Sequence, residues 1–212
     1  LSFEPINVKQ DLSAEDGIRF ETRAEEFPGF SVRKVPIRRY PDPEVFSHLL
    51  GYTGTISQDE HDAAGEDSGY DRSDYVGKSG VELQYERYLH GTNGASQVEV
   101  DSRGRTATSL GRLEPEPGQT VYLNIDKEYQ LALYNAFKKL HPGGKGAAVV
   151  TDIKTGEVLA LPSVPGYDTN LFAHGIRQGD YDKLLSDKSL PLFNRALAGT
   201  YPPGSTVKPM VA

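Results

Sequence analysis

The fold is decided by residues 146–161, GAAVVTDIKTGEVLAL, where two apolar runs flank a polar turn. Residues 146–151 and 157–161 are apolar enough and short enough to be buried strands. Between them, residues 152–156 supply the aspartate, threonine and glycine that are typical of tight turns. This stretch therefore predicts a β-hairpin.

The residues before the hairpin predict a strand followed by a helix. Residues 120–125, TVYLNI, alternate as a strand does, and Asp126 can cap a helix. Apolar residues then recur at three- and four-residue spacing as far as Leu140, and HPGG at 141–144 ends the helix. Strand, helix and hairpin in this order indicate the start of an α/β domain, which we expect to be unfinished at Ala212.

Residues 20–113 differ in composition, since they are rich in glycine, aspartate and serine and contain short runs in which apolar and polar residues alternate. The runs at 30–37 and 97–100 predict strands, because apolar and polar residues alternate there. The segments 43–51 and 80–91 predict helices that end at a glycine. We expect this region to be an irregular, mostly-β domain.

Two prolines and a glycine within residues 113–119 oppose regular structure and mark a domain boundary. We therefore predict an α+β chain, with the irregular mostly-β domain at 1–117. The N-terminal portion of the α/β domain, left incomplete, is predicted at 118–212.

Composition excludes several classes of function. The 212-residue chain has a formal net charge of -7, which argues against nucleic acid or an anionic membrane as its main partner. It has no cysteine, so a disulfide framework, a thiolate metal site and a cysteine nucleophile are excluded. The five histidines are scattered, and the acidic residues between Asp59 and Asp74 lack the spacing of a calcium loop. We expect no cofactor and no metal.

A serine and a lysine stand three residues apart near the end of the chain, in YPPGSTVKP at 201–209. Chance supplies about one Ser-x-x-Lys match in a chain of this length, and SVRK at 31–34 is a second copy. That copy lies in the predicted strand, where residues three apart point to opposite faces. Ser205 instead follows Pro-Pro-Gly, which blocks a helix on its N-terminal side. It therefore falls in the cap or first turn of a helix, with Lys208 one turn later.

This geometry suits nucleophilic catalysis by a serine. A serine hydroxyl attacks a carbonyl when a base removes its proton, and a lysine amine serves as that base once desolvation or nearby positive charge lowers its pKa from about 10.4. The positive end of a helix dipole disfavours a second cation and stabilises a developing oxyanion. The residues alone also allow a simpler interpretation, in which Ser205 caps a helix and Lys208 is solvated.

The residues around the pair resemble those of a known family. YPPGSTVKP, preceded by FNRALAG at 193–199, is similar to the nucleophile region of class B penicillin-binding proteins, and most of all to the elongation-specific members. The hairpin at 146–161, with PGYDTNLF at 165–172, resembles the first hairpin of their transpeptidase domain and the loop after it.

The resemblance continues upstream, where the residues are similar to the membrane-proximal pedestal domain of the family. GKSGVE at 77–82, RYP at 39–41 and HLLGY at 48–52 carry it, and the match runs in order from about Arg19 to the end of the chain. It implies that residues 1–117 are the pedestal. Residues 118–212 would be the N-terminal part of a serine transpeptidase domain with a β-lactamase-like α/β fold.

The resemblance implies a bacterial D,D-transpeptidase that cross-links peptidoglycan stem peptides in cell elongation. Ser205 would attack the carbonyl of a terminal D-Ala-D-Ala to form an acyl-enzyme, and Lys208 would accept the serine proton. The backbone N–H of Ser205 would be one arm of the oxyanion hole. β-Lactams would be trapped at the same serine.

The resemblance also implies a location and partners. The protein would act on the periplasmic face of the bacterial inner membrane, held by an anchor that this chain lacks. A SEDS-type glycosyltransferase and an elongation scaffold protein would be its partners.

Two further motifs of the family's active site, Ser-x-Asn and Lys-Thr/Ser-Gly, follow the nucleophile by long intervals, and this sequence ends before either. KTG at 154–156 precedes the nucleophile, and SDK at 186–188 lacks the asparagine. We predict that both are loop residues without a catalytic role. We therefore expect this chain by itself not to form the acyl-enzyme.

Two functions of different class stay open. In the first, the chain is the pedestal and the first part of the catalytic domain of a transpeptidase. In the second, the pedestal is an interaction module for proteins of the elongation machinery, and the catalytic remainder is dispensable for that role. A β-lactamase or β-lactam sensor shares the serine-lysine pair but not a pedestal of this kind.

Overall fold

The computed structural model describes residues 8–9, 12–34, 36–65, 68–100, 106–173 and 175–211. Helices and short strands alternate along these residues, so the chain is α+β, as predicted. The helices are α1 (Ala14–Glu21), α2 (Pro43–Leu50), α3 (Gln58–Ala64), α4 (Gly80–Gln84), α5 (Glu86–Leu89), α6 (Lys127–Leu140), α7 (Gln178–Ser186), α8 (Arg195–Ala198) and α9 (Lys208–Val211). The strands are β1 (Thr53–Thr55), β2 (Tyr75–Gly77), β3 (Ala95–Val100), β4 (Thr106–Leu113), β5 (Gly146–Ala147), β6 (Val150–Thr151), β7 (Val158–Ala160) and β8 (Ser163–Val164).

The described residues form two compact units. The first combines residues of Leu1–Ile37 and Ser96–Leu113, and the second combines those of Arg38–Ala95 and Glu114–Ala212. The second unit thus contains residues from both sides of the predicted domain boundary at 117/118. That boundary stays a prediction.

In the first unit the regular elements are a capped helix and a strand pair. Ser13 caps α1, because its Oγ accepts a hydrogen bond from the Asp16 N–H at 3.0 Å. Strands β3 and β4 pair with each other, which confirms the strand predicted at 97–100. The strand predicted at 30–37 is wrong for the described residues of that segment, since none of them lies in a strand. Pro36 has no N–H to donate to a ladder, and no partner strand pairs with the alternating residues.

In the second unit, helix α2 forms as predicted. Proline is tolerated at its first position, Pro43, because no helical hydrogen bond is lost there, and the helix ends at Gly51 with φ 77°. A Cβ on Gly51 would lie 1.9 Å from the carbonyl oxygen of Ser79, so both the backbone angle and the close approach require glycine. Strands β1 and β2 then pair antiparallel, with Thr53 opposite Gly77.

The helix predicted at 80–91 breaks at Tyr85, whose φ of -110° and ψ of 17° separate α4 from α5. The apolar spacing of Val81, Tyr85 and Leu89 predicts that this face is buried, but Glu82 is buried at 7% exposure and Tyr85 is 39% exposed. Glu82 Oε1 accepts a hydrogen bond from the Tyr40 hydroxyl at 3.2 Å and forms an ion pair with Arg38, whose Nε lies 3.1 Å away. Partners from a distant part of the sequence therefore bury this carboxylate.

Helix α6 begins as predicted at Asp126, whose Oδ1 accepts from the N–H groups of Glu128 at 2.8 Å and Tyr129 at 3.0 Å. The strand predicted at 120–125 is wrong, because these residues lie in no sheet. At the end of this segment the Asp126 N–H donates to the Leu159 carbonyl at 2.8 Å. A single bond does not make a ladder, and Leu159 already lies in a strand that pairs elsewhere.

The predicted hairpin is confirmed, with β6 and β7 as an antiparallel pair. Its turn at 152–156 is held by Asp152, whose Oδ1 accepts from the N–H groups of Thr155 at 3.0 Å and Lys154 at 2.7 Å. These two donors hold the pKa of the Asp152 carboxyl below its usual range. Gly156 completes the turn with φ 78°.

A second strand pair continues the hairpin, with Gly146 of β5 opposite Val164 of β8. A Cβ on Gly146 would lie 2.7 Å from the ring of Phe137, which shows how closely α6 packs against this strand. The buried apolar residues of the second unit are Tyr40, Ile56, Val76, Tyr134, Ala160, Val164, Tyr167, Phe172 and Ala173. Most of them lie between α6, the strands β7 and β8 and the loop after β8.

Within the described ranges, no helix has the length and hydropathy needed to cross a bilayer. In the same residues, no three histidine, aspartate or glutamate side chains are grouped as metal ligands would be.

Candidate active site

Ser205, the predicted nucleophile, follows strand β8 in the chain and is separated from it by several short helical elements. The chain passes through a 3-10 turn at Thr169–Leu171 and then through α7 and α8 before it reaches Ser205. Helix α8 packs against β5 and β8. The β5–β8 strand pair therefore fixes the position of α8, the last helix before the turn that contains Ser205.

Ser205 lies in the first turn of a helical segment, as its proline context predicts. Residues Gly204–Val207 form a 3-10 turn, and α9 follows with Lys208 as its first residue. Gly204 has φ 57°, a conformation that glycine adopts without strain. The serine and the lysine are consequently one helical turn apart.

The side chains of Ser205 and Lys208 are both exposed. Among the described contacts, no hydrogen bond joins Ser205 Oγ to Lys208 Nζ. The turn itself is closed by Thr206, whose Oγ1 donates to the Pro203 carbonyl at 2.5 Å. The described residues thus set the spacing of the pair without covering the amine, and the catalytic roles of the two residues stay predictions.

The competing motifs lie in other places. Ser31 and Lys34 belong to the first compact unit. The KTG sequence at 154–156 forms the turn between β6 and β7, as predicted. Ser186 is the last residue of α7 and its Oγ donates to the Asp182 carbonyl at 2.7 Å, so the loop predicted at 186–188 begins one residue later.

Gln130 of α6 connects the segment after β7 to α2, and no pattern in the sequence indicated this role. Its side chain is 1% exposed. Its Nε2 donates to the Val45 carbonyl at 3.0 Å, and its Oε1 accepts from the Leu161 N–H at 2.7 Å. A helical pattern marks apolar positions as buried, so it gives no signal for a buried glutamine.

Asn170, in the loop after β8, is a second polar residue whose side chain bonds to the backbone of a residue distant in sequence. Its Oδ1 accepts from the Tyr40 N–H at 2.9 Å and its Nδ2 donates to the Tyr40 carbonyl at 3.0 Å, as a neighbouring strand would. Burial, and then the nearby carboxylate of Glu82, raise the pKa of the Tyr40 hydroxyl. Tyr40 is therefore a neutral, buried donor at neutral pH.

Comparison with known proteins places these elements in a family. A sequence model of the penicillin-binding protein dimerisation domain matches residues 1–123. The chain belongs to the penicillin-binding proteins. A model of the penicillin binding protein transpeptidase domain matches residues 146–212, the part that contains the hairpin and Ser205.

Among the curated penicillin-binding proteins, the chain is similar to the peptidoglycan D,D-transpeptidase MrdA of Escherichia coli (strain K12), with 41% identity over 213 residues. The match covers 99% of this chain and 33% of that relative. The chain thus spans about a third of the length of the curated relative.

Two solved penicillin-binding protein structures have a similar fold. Penicillin-binding protein 2 of Pseudomonas aeruginosa, in complex with WCK 5153, is 38% identical with a TM-score of 0.63, over 85% of this chain and 34% of that one. The complex of penicillin-binding protein 2 with MreC from Helicobacter pylori gives 31% identity and a TM-score of 0.75, over 93% of this chain and 36% of that one. These matches confirm the predicted resemblance to the penicillin-binding protein 2 type.

Proposed function

We propose that this sequence belongs to a serine-type D,D-transpeptidase that cross-links peptidoglycan stem peptides during cell elongation. One observation carries the proposal: within the region similar to transpeptidase domains, Ser205 lies in a helical first turn behind Pro-Pro-Gly, with Lys208 one turn later. The name of the similar D,D-transpeptidase from Escherichia coli supports the reaction type.

In the proposed reaction the Lys208 amine accepts the Ser205 hydroxyl proton while Oγ attacks the carbonyl of the penultimate D-alanine. The tetrahedral oxyanion collapses, the peptide C–N bond breaks, and the leaving D-alanine amine takes the proton. An amine of a neighbouring stem peptide then attacks the ester and regenerates the serine. A β-lactam acylates the same Oγ by opening its ring, and its nitrogen stays attached to the acyl group.

The whole protein offers the direct test of these two roles. Release of D-alanine from a stem peptide ending in D-Ala-D-Ala is measured for the wild type and for Ser205→Ala, Lys208→Ala and Lys154→Ala. Loss of a nucleophile or its base lowers the rate by roughly a thousandfold or more. Lys154 lies in the hairpin turn and serves as the matched control, with a rate within about twofold of the wild type. Wild-type rates in the Ser205→Ala protein would contradict the proposal.

The isolated 212-residue chain is a separate case. An amine acts as a base at neutral pH when it is desolvated or lies near other cations, and Lys208 is exposed. We therefore propose that this chain alone does not acylate. Labelling of the isolated chain by a fluorescent penicillin, abolished in Ser205→Ala, would contradict this.

A second proposal concerns location and partners. We propose that the protein acts on the periplasmic face of the inner membrane, together with a SEDS-type glycosyltransferase. We further propose that residues 1–117 bind a scaffold protein of the elongation machinery. The similarity to a penicillin-binding protein 2 solved with MreC supports this choice. Binding of the purified scaffold to the chain is expected to be equal for the wild type and Ser205→Ala, and a chain that does not bind the scaffold would contradict it.

A further inference from the structure

Arg195, the first residue of α8, carries a buried positive charge. The residue is 5% exposed. Its guanidinium donates to three backbone carbonyls in the loop before the helix: Nη1 to Leu190 at 3.0 Å and to Phe193 at 3.2 Å, and Nη2 to Ser189 at 2.5 Å. Within the described chain, no carboxylate forms a salt bridge with it. The charge is therefore compensated by carbonyl dipoles and by the aromatic ring of Phe193, whose centroid lies 5.6 Å from Arg195 Cζ.

The guanidinium holds the loop in an unfavourable conformation. Leu190 has φ 52°, a left-handed backbone that side chains other than glycine, asparagine and aspartate rarely adopt. Such a conformation persists when surrounding contacts determine it. The bonds from Arg195 to the carbonyls on both sides of this residue, and to its own, supply those contacts.

The backbone of Arg195 ties the same residue to the sheet. Its N–H donates to Ser163 Oγ at 2.9 Å, and Ser163 lies in β8 at 2% exposure. The preceding Asn194 caps the helix through the Leu197 N–H and donates from Nδ2 to the His48 carbonyl at 3.2 Å. The start of α8 is thus fixed to β8, to α2 and to the loop at once.

The end of α8 leads directly to the serine turn. The Gly199 N–H donates to the Arg195 carbonyl at 3.3 Å. A Cβ on Gly199 would lie 2.5 Å from that carbonyl oxygen and 2.6 Å from the Tyr201 ring, so the tyrosine packs on the bare glycine backbone. Pro202 and Pro203 follow, and their fixed φ angles limit how the chain can bend before Ser205.

We infer that Arg195 is a positioning residue for Ser205: its guanidinium and N–H set the start of α8, and the Gly199–Tyr201 contact with the two prolines transmits that placement to the serine turn. The inference rests on the proposed function, because it requires Ser205 to be the nucleophile. Misplacement of a reacting group by about 1 Å lowers a rate by roughly a hundredfold. Loss of Arg195 is therefore expected to slow acylation while the non-covalent binding of the β-lactam changes little.

The first test compares Arg195→Met, Arg195→Lys and the wild type in the whole protein, with a fluorescent penicillin as the probe. Stopped-flow measurement separates the acylation rate constant from the non-covalent dissociation constant, at a temperature where thermal unfolding shows each variant to be folded. Arg195→Met is expected to lower the rate constant by about 10- to 100-fold and to change the dissociation constant by less than about threefold. Arg195→Lys is expected to recover part of the rate, because one ammonium can reach some of the three carbonyls. Arg177→Met, at an exposed arginine, is the matched control and is expected to acylate at the wild-type rate.

The second test keeps Arg195 and perturbs the contact between Gly199 and Tyr201. Gly199→Ala puts a methyl group against the Arg195 carbonyl and the Tyr201 ring, whereas Gly179→Ala in α7 meets no atom within 4 Å. The acylation rate constant of Gly199→Ala is expected to fall by at least about fivefold relative to Gly179→Ala. If Arg195→Met does not fold, the comparison of Gly199→Ala with Gly179→Ala tests the positioning role by itself.

Different outcomes refute the positioning role of Arg195 and the proposed role of Ser205 as the nucleophile. Wild-type acylation rates in folded Arg195→Met, or equal rates in Gly199→Ala and Gly179→Ala, would overturn the positioning role while leaving Ser205 as the nucleophile. A rate loss that is matched by an equal loss of non-covalent affinity would also overturn it, because general damage to the site lowers both. Full labelling of Ser205→Ala would instead refute the proposed function, and with it the positioning role.

Discussion

Replacing Gln130 with leucine removes two buried hydrogen bonds while nearly keeping the side-chain volume. The Leu161 N–H, which donates to Gln130 at 2.7 Å, loses its partner, and the Val45 carbonyl, which accepts from Gln130 at 3.0 Å, keeps only its hydrogen bond within α2. The unsatisfied N–H costs about 1–3 kcal/mol, and the loss of the second hydrogen bond costs about 1 kcal/mol. The apolar leucine offsets about 1 kcal/mol of that loss. We therefore expect the free energy of unfolding to fall by about 1–3 kcal/mol.

Thermal unfolding followed by circular dichroism measures this effect. For a chain of this size, a loss of 1 kcal/mol lowers Tm by about 2–4 °C, so the Gln130→Leu variant is expected to melt roughly 2–12 °C below the wild type. Gln178→Leu is the matched control, because Gln178 is exposed and its Nε2 bonds to Asp182 Oδ1 at 2.8 Å on the same helix. That variant is expected to stay within about 0.5 kcal/mol of the wild type. Equal melting temperatures for the two variants would refute the claim that Gln130 connects α2 to the strand region.

Two further predictions concern an ion pair and a glycine. The hydrogen bond from Lys78 is the main cause that lowers the pKa of Glu60 from its usual value near 4.5 to about 2. The resulting stability is therefore present above pH 4.5 and lost as the pH falls toward 2. Because the Glu60 side chain is 43% exposed, solvent screening limits the effect, and Glu60→Gln is expected to destabilise by about 0.5–1 kcal/mol at pH 7 and not at pH 2. A pH-independent difference in unfolding free energy would contradict this. Gly51→Ala is expected to cost more than about 3 kcal/mol, because a Cβ there meets the Ser79 carbonyl at 1.9 Å. Gly65→Ala has a similar φ of 87° and open space around it, and is expected to cost about 1 kcal/mol. Urea titration of the two variants measures both costs, and equal costs would contradict the claim that the close approach at Gly51 requires glycine.

Local patterns in the sequence predicted the elements whose causes are local. The capping aspartate and apolar spacing located α6, and the turn residues at 152–156 located the hairpin. Pro-Pro-Gly placed Ser205 in the first turn of a helical segment. Each of these depends on residues within one or two turns of the chain.

The wrong predictions share a different cause. The alternating segments 30–37 and 120–125 have the polarity of strands, but a strand needs a partner, and the sequence does not show whether one is present. The burial of Glu82 depends on residues more than 40 positions away, such as Tyr40, and the helical pattern at 80–91 does not indicate them.

The buried polar residues are the largest omission for the candidate site. Gln130, Asn170 and Arg195 bond to backbone groups that lie far away in sequence or in an irregular loop. Hydropathy marks all three as surface residues, and no spacing pattern indicates a backbone partner. The hydrogen bonds of these three side chains therefore could not be predicted from the sequence, because they depend on where the fold places the backbone partners.

The most direct test of the central claim is to find where a β-lactam binds covalently. The whole protein is treated with benzylpenicillin and digested with trypsin, and the peptide that begins at Ala196 is fragmented by mass spectrometry. We predict that the penicilloyl mass is on Ser205 and that the Ser205→Ala protein carries none. An adduct on another residue, or an unchanged adduct in Ser205→Ala, would contradict the assignment of Ser205 as the nucleophile.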